Sequence, residues 1–110
     1  MSKDVDLLLP LGSVVRLKGG KALLIIQGYV PNDLSKVDTY YDYEGNFFPT
    51  GRQGEQVFMF DDENIDEVLF IGYQTDEALK YRRVITAVRN NLRNGMKLQE
   101  AVDKAVNENK

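Results

Sequence analysis

Asp61, Asp62, Glu63, Asp66 and Glu67 crowd five carboxylates into seven residues, the densest set of potentially reactive side chains in the sequence. Carboxylates at alternate positions could ligate Ca²⁺ or Mg²⁺, and Asp62, Asn64 and Asp66 match the first alternating ligands of a calcium loop. That motif next needs glycine for its sharp turn, and Glu67 stands there instead. The expectation is a capped, solvated turn with no metal. The chain holds no cysteine and no histidine. Thiol nucleophiles, thiolate metal sites and imidazole-dependent triads are thereby excluded, leaving carboxylate or lysine chemistry or none. Gly20-Lys21 does not make a phosphate loop, because Val15 and Ala22 occupy the positions that need glycine and Ser or Thr. No catalytic residue and no cofactor is expected, so the chain is expected not to be an enzyme.

Two constellations could bind rather than react. Tyr40, Tyr41, Tyr43, Phe47 and Phe48 cluster within nine residues. Strand alternation would put Tyr41 and Tyr43 on one face and Tyr40 with Asp42 on the other, one set in the core and the other free for a protein partner, where tyrosine is favoured. Base stacking would need nearby cations, and this stretch carries Asp38, Asp42 and Glu44. The second constellation is a charge asymmetry: residues 1–79 hold 6 basic and 14 acidic residues, net −8, whereas residues 80–110 hold 8 basic and 3 acidic, net +5. At helical spacing Arg82, Arg89 and Arg93 fall within roughly 40° of one another. They would either dock an acidic partner or complement the acidic part of the chain itself.

The elements that must position these residues follow from periodicity and turn chemistry. Ser13–Lys18 and Ala22–Tyr29 form a hairpin around Gly19-Gly20, whose glycines supply the positive φ of a tight turn. The second run is apolar almost throughout, which places it centrally with both faces covered. Thr39–Tyr43 is a third strand, followed by a turn at Glu44-Gly45-Asn46 from which Phe47-Phe48 pairs back. Gln56–Phe60 is a fourth and Val68–Tyr73 a fifth, with the acidic cluster between them as a short helical turn. Thr75 or Asp76 then caps a helix in which Tyr81, Val84, Ile85, Val88 and Leu92 share a face, and Asn94-Gly95 stops it. A second helix carries Leu98, Ala101, Val102, Ala105 and Val106 on one stripe, with a polar tail. The fold class is α+β: a five-stranded antiparallel meander or partly closed barrel, followed by a C-terminal helical hairpin. With 110 residues the chain is expected to be one domain, sheet about 8–74 and helices about 76–94 and 97–108.

The formal net charge of −3 is mild and argues against nucleic-acid or anionic-membrane partners. No apolar run approaches the ~20 residues of a membrane span. Met1–Asp6 carries two acids where a signal peptide has basic residues, so a cytoplasmic location is expected. Monomer and homodimer are both open.

Leu9-Pro10-Leu11-Gly12-Ser13-Val14-Val15, Lys18-Gly19-Gly20 and Ile25-Ile26-Gln27-Gly28-Tyr29 resemble the start of domain-of-unknown-function family 4176 of Gram-positive bacteria. Asp42-Tyr43-Glu44-Gly45 with Pro49-Thr50-Gly51 is similar to its middle signature, and Phe60, Ile65, Val68, Phe70, Gly72 and Tyr73 to its last strand. The resemblance covers about residues 8–80. Its motifs are turn glycines and strand apolars, and no catalytic or binding residue comes with them. The resemblance implies a genomic setting beside type VII secretion genes and LXG toxins. It further implies a cytoplasmic accessory or chaperone-like role, the partner being a toxin or its helical export domain. The alternatives weighed beside this are an immunity protein that neutralises a toxin domain, a small RNA-binding barrel, and, last, a carboxylate-dependent hydrolase.

Overall fold

The computed structural model describes residues 7–109; Met1–Asp6, on which the signal-peptide argument rests, lies outside them. Five strands precede two helices: β1 (Val14–Leu17), β2 (Leu23–Tyr29), β3 (Tyr43–Phe48), β4 (Phe58–Phe60), β5 (Ile65–Phe70), α1 (Asp76–Arg93) and α2 (Leu98–Glu108). All strand pairings are antiparallel and the order is β4-β3-β2-β1-β5. β1 to β4 are the expected meander. β5 then crosses back to the far side of β1, so the sheet stays open with β4 and β5 as its edges.

Local chemistry explains each strand. The β1–β2 turn closes through Gly20 N–H donating to the Leu17 carbonyl at 3.1 Å, with Gly19 at φ +77°. In β2 the register shifts between Ile26 and Gly28, a bulge that returns Tyr29 to the face occupied by Leu24 and Ile26. The third strand departs from expectation. It begins at Tyr43 and runs through Glu44-Gly45-Asn46 instead of turning there. Gly45 serves close approach rather than a turn: a Cβ at this position would lie 2.5 Å from the Ile25 carbonyl oxygen. Residues 39–41 therefore belong to the preceding loop, tied by a single bridge between Asn32 and Tyr40. β5 starts three residues before the expected Val68, directly after a 3₁₀ turn at Asp62–Asn64, in which Asn64 Oδ1 accepts from the Asp61 N–H at 2.8 Å. Asp61, Asp62 and Glu63 thus sit in the expected capped short turn, while Asp66 and Glu67 of the acidic cluster lie in β5.

α1 is capped by the Thr75 hydroxyl, which accepts from the Ala78 N–H at 3.0 Å, and ends at Gly95, φ +94°. Its apolar stripe divides. Ile85 packs toward the sheet core of Leu8, Leu9, Val15, Leu24, Ile26, Tyr43, Phe60 and Val68. Val88 packs against Ala101 and Ala105 of α2, and Asn91 Nδ2 donates to the Ala101 carbonyl at 3.0 Å. The second helix therefore rests on the first. No helix among the described residues is long and apolar enough to cross a membrane.

Between sheet and α1 runs the extended pair Leu8-Leu9, both essentially fully buried. Tyr43 Oη sits at its centre, accepting from the Leu9 N–H at 2.9 Å and donating to Asp62 Oδ1 at 2.8 Å. Tyr43→Phe removes both bonds and leaves the Leu9 N–H buried without a partner. The expected loss is about 2 kcal/mol, read as a lower midpoint in urea unfolding with an unchanged slope. Burial also raises the Tyr29 hydroxyl to about 12 and pushes Tyr43 up as well, from an ordinary 10.0. The folded state thus holds these protons more tightly than the unfolded chain does. Their contribution to stability is expected to be constant up to pH 10 and to fall as pH rises from 10 toward 12. Equilibrium unfolding across that range checks the sign.

Candidate functional site

Four of the aromatic and basic residues singled out by sequence meet in one cleft. The β2–β3 loop brings Tyr40 and Tyr41, and the last turns of α1 bring Arg89 and Arg93, around a space of about 270 Å³ also lined by Val30, Asp38, Thr39 and Leu92. Asp42, buried at 1% exposure, lies at its base. Arg93 Nη2 donates to Asp42 Oδ1 at 2.9 Å and Oδ2 at 2.8 Å. Arg89 Nη1 lies 3.3 Å from Oδ2, and the Asp62 N–H donates to Oδ2 at 2.8 Å. The Asp42 N–H in turn donates to Asp61 Oδ1 at 3.0 Å. Arg89 and Arg93 thus complement the acidic half of the chain itself.

The backbone here is unusual. Val30 and Asp38 have φ of 50° and 55°. For β-branched Val30 this is a strained conformation, costing on the order of 1–3 kcal/mol. It is held by the Val30 N–H donating to the Asp42 carbonyl and the Tyr41 N–H donating to the Pro31 carbonyl, each at 3.1 Å. The arrangement fastens a strained loop to α1. Both Asp42 carboxylate oxygens are occupied by donors, so the residue is not presented as a base to a substrate. Among the described residues no group of three or more acidic side chains is placed to hold a metal ion.

The other residues singled out by sequence are elsewhere. Because residues 39–41 lie outside β3, strand alternation does not relate Tyr41 to Tyr43, and the expected face assignment is corrected. Tyr43 is fully buried, so it is a core residue and not part of a surface. Arg82 is 5% exposed; Nε donates to the Leu8 carbonyl at 2.9 Å and Nη1 to Gln74 Oε1. It therefore faces inward, apart from Arg89 and Arg93. Phe47 packs its ring on Phe58 at 4.5 Å between centroids, and Phe48 lies on the opposite face.

That opposite face carries an apolar groove. Pairing sets Phe70, Val14 and Ile25 in one row and Glu67, Arg16, Leu23 and Phe48 in the next. Of these, Phe70, Val14, Ile25, Leu23 and Phe48 line, with Leu69 and Gly12, this groove of about 430 Å³. Phe70 is 55% and Phe48 45% exposed. No described helix covers this face; α1 packs on the other, and α2 rests on α1. The sequence expectation that β2 is covered on both faces is therefore half right: its position is central, but only one face is covered. The groove residues Val14, Leu23, Ile25, Leu69 and Phe70 were missed as a surface. The signal was present, since β2 is apolar on both faces in a chain with too few helices to cover two.

Asp42→Asn leaves Arg89, itself largely buried, short of its counter-charge, and is expected to cost about 3 kcal/mol. Arg93→Ala, removing a half-exposed partner, is expected to cost about 1 kcal/mol or less. Asp61 behaves oppositely. Burial raises its carboxyl above the ordinary 3.8, so charging it opposes folding and stability falls as pH rises through the window that begins at 3.8. Asp61→Asn keeps the oxygen that accepts from Asp42 and removes that charge, so the variant is expected to be at least as stable as the parent at neutral pH, by thermal unfolding.

No curated protein and no solved structure matches this chain. A family model does, over residues 8–81, which takes in the whole sheet and only the first turns of α1. The groove on the sheet lies inside the matched segment, and Arg82, Arg89 and Arg93 lie beyond it. With about two thirds of its length so matched, the chain belongs to the family described as domain of unknown function DUF4176.

Proposed function

We propose that the chain is a non-enzymatic, cytoplasmic protein-binding module, an adaptor or chaperone-like accessory factor for a type VII secreted LXG toxin. The observation that carries the reading is the uncovered apolar face of β5, β1, β2 and β3. Contiguous exposed apolar surface of this kind marks an interaction site rather than a solvated one. Phe70 and Phe48 are aromatic anchors of the type that dominates binding energy. Arg16, paired with Glu67 and Asp66, supplies a polar rim. A slightly concave sheet face suits an amphipathic helix lying across the strands, as in other helix-in-groove complexes. The helical export domain of a toxin is the proposed source of such a helix. The excess of acids in residues 1–79 favours a partner helix with basic flanks, and it also supports the second reading, an immunity protein that covers a basic toxin domain.

Co-purification with separate toxin fragments tests this. Binding to the N-terminal export fragment with toxicity unchanged is expected. Binding to the C-terminal fragment with loss of toxicity would establish the immunity reading, and binding to neither would overturn both. Phe70→Glu is expected to weaken the complex by about a hundredfold, a loss of the size seen at interface anchors. Leu34→Glu, on a loop that does not line the groove, is expected to leave it unchanged.

A further inference from the structure

A second cavity, on the helical side of the sheet, is walled by tyrosines and floored by a buried cation. Its volume is about 360 Å³, within the range of small-ligand sites. Tyr29 and Tyr81 face each other with ring centroids 6.1 Å apart, and Tyr73 stands at the mouth, 86% exposed. Leu11 adds apolar wall. The floor is Arg82. Buried guanidinium groups are ordinarily matched by a carboxylate. Arg82 has only neutral oxygens, the Leu8 carbonyl and Gln74 Oε1, and no ion pair among the described residues. Its Nη2 makes no hydrogen bond among them either, yet it is not among the buried unpartnered atoms, of which Asn46 Oδ1 is the one found. Nη2 is therefore not sealed from solvent, and Arg82 lines this cavity.

We propose that this cavity binds a carboxylate carried on a planar, ring-bearing body, the carboxylate meeting Arg82 Nη2 and the ring lying between Tyr73 and Tyr81. A guanidinium presents parallel N–H donors suited to a carboxylate, and tyrosine faces suit a ring. Glu77 shares the cavity lining, and its negative charge opposes a carboxylate ligand there. Because residues at the cavity mouth are exposed, they can be changed without disturbing the fold. Arg82 itself cannot, since it holds the Leu8 backbone. The site lies on the other layer from the apolar groove and does not depend on the role proposed for that groove.

The test is an NMR titration of the full chain with phenylacetate, following the Arg82 Nε–H and the Tyr81 ring, with benzyl alcohol as the uncharged counterpart. Phenylacetate is expected to bind in the millimolar range and to shift both signals, with benzyl alcohol about tenfold weaker. Glu77→Gln is expected to tighten phenylacetate about threefold, and Tyr73→Ala to loosen it by a similar factor. Equal response to the two probes, or no movement of Arg82 with phenylacetate, overturns the proposal. A short peptide ending in phenylalanine, compared with its C-terminal amide, separates the sources. Tighter binding of the free-acid peptide than of phenylacetate supports a polypeptide C-terminus as the ligand. Binding of phenylacetate without the peptide supports a small free acid.

Discussion

The fold depends on how one buried stretch of backbone is satisfied. Leu8 and Leu9 lie between the sheet and α1, where neither a strand nor a helix is available to pair with them. Each of their four backbone polar groups is met by a side chain. The Leu8 N–H donates to Thr86 Oγ1 at 3.1 Å and the Leu8 carbonyl accepts from Arg82. The Leu9 N–H donates to Tyr43 Oη, and the Leu9 carbonyl accepts from the Tyr29 hydroxyl. Left unmet, each group would cost about 1–3 kcal/mol. Two partners come from α1 and two from the sheet, so the segment joins the layers alongside the direct packing of Ile85 and the Tyr29–Tyr81 ring contact. It also explains residues that composition alone makes odd: a buried arginine and threonine on a helix face, and tyrosines where a core would take phenylalanine.

A second fastening sits further along the same helix. Asp42 immediately precedes β3 and takes Arg93 and Arg89 from the end of α1, while Arg82 takes Leu8 about two and three helical turns earlier. Arg82, Arg89 and Arg93 were grouped by helical phase as one basic face. They do share a face, but it looks at the sheet, and each arginine meets what the sheet side presents at its height. The strained loop between β2 and β3 is a consequence. Its two ends are fixed by strand pairing and by Asp42, and the chain passes through left-handed φ at Val30 and Asp38 to connect them.

Most of the architecture was legible in the sequence because it rests on local chemistry. The Gly19-Gly20 turn, the Thr75 cap, the Asn94-Gly95 stop and the short acidic turn are each specified within a few residues. What failed was specified at a distance. Gly45 reads as a turn until the Ile25 carbonyl beside it is known. The start of β5 depends on pairing with β1, and because β5 pairs with β1 but not also with β4 the sheet stays open. The cleft was partly legible: tyrosines and arginines were chosen for type and phase, but their common partner Asp42 was seen only as one acid among many. The roles of Tyr43 and Arg82 were illegible, since both answer to the backbone of Leu8-Leu9, more than thirty residues away.

The apolar groove shows how a correct local reading can point to function once the global arithmetic is done. β2 offers Leu24 and Ile26 to the core and Leu23 and Ile25 to the other side. A strand apolar on both faces asks for two covering layers. The two helices cannot supply both, because Leu8-Leu9 draws α1 to one face and the alanines of α2 fit only α1. Shifting the register by one residue would exchange the two apolar sets without covering either more fully. The uncovered face is therefore a property of the whole element count and not of any single side chain. Its polar edge, Arg16 against Glu67 and Asp66 beside the free side of β5, guards against indiscriminate strand addition while leaving Phe70 and Phe48 accessible. A domain arranged this way leaves one apolar face of its sheet without a second layer among the described residues.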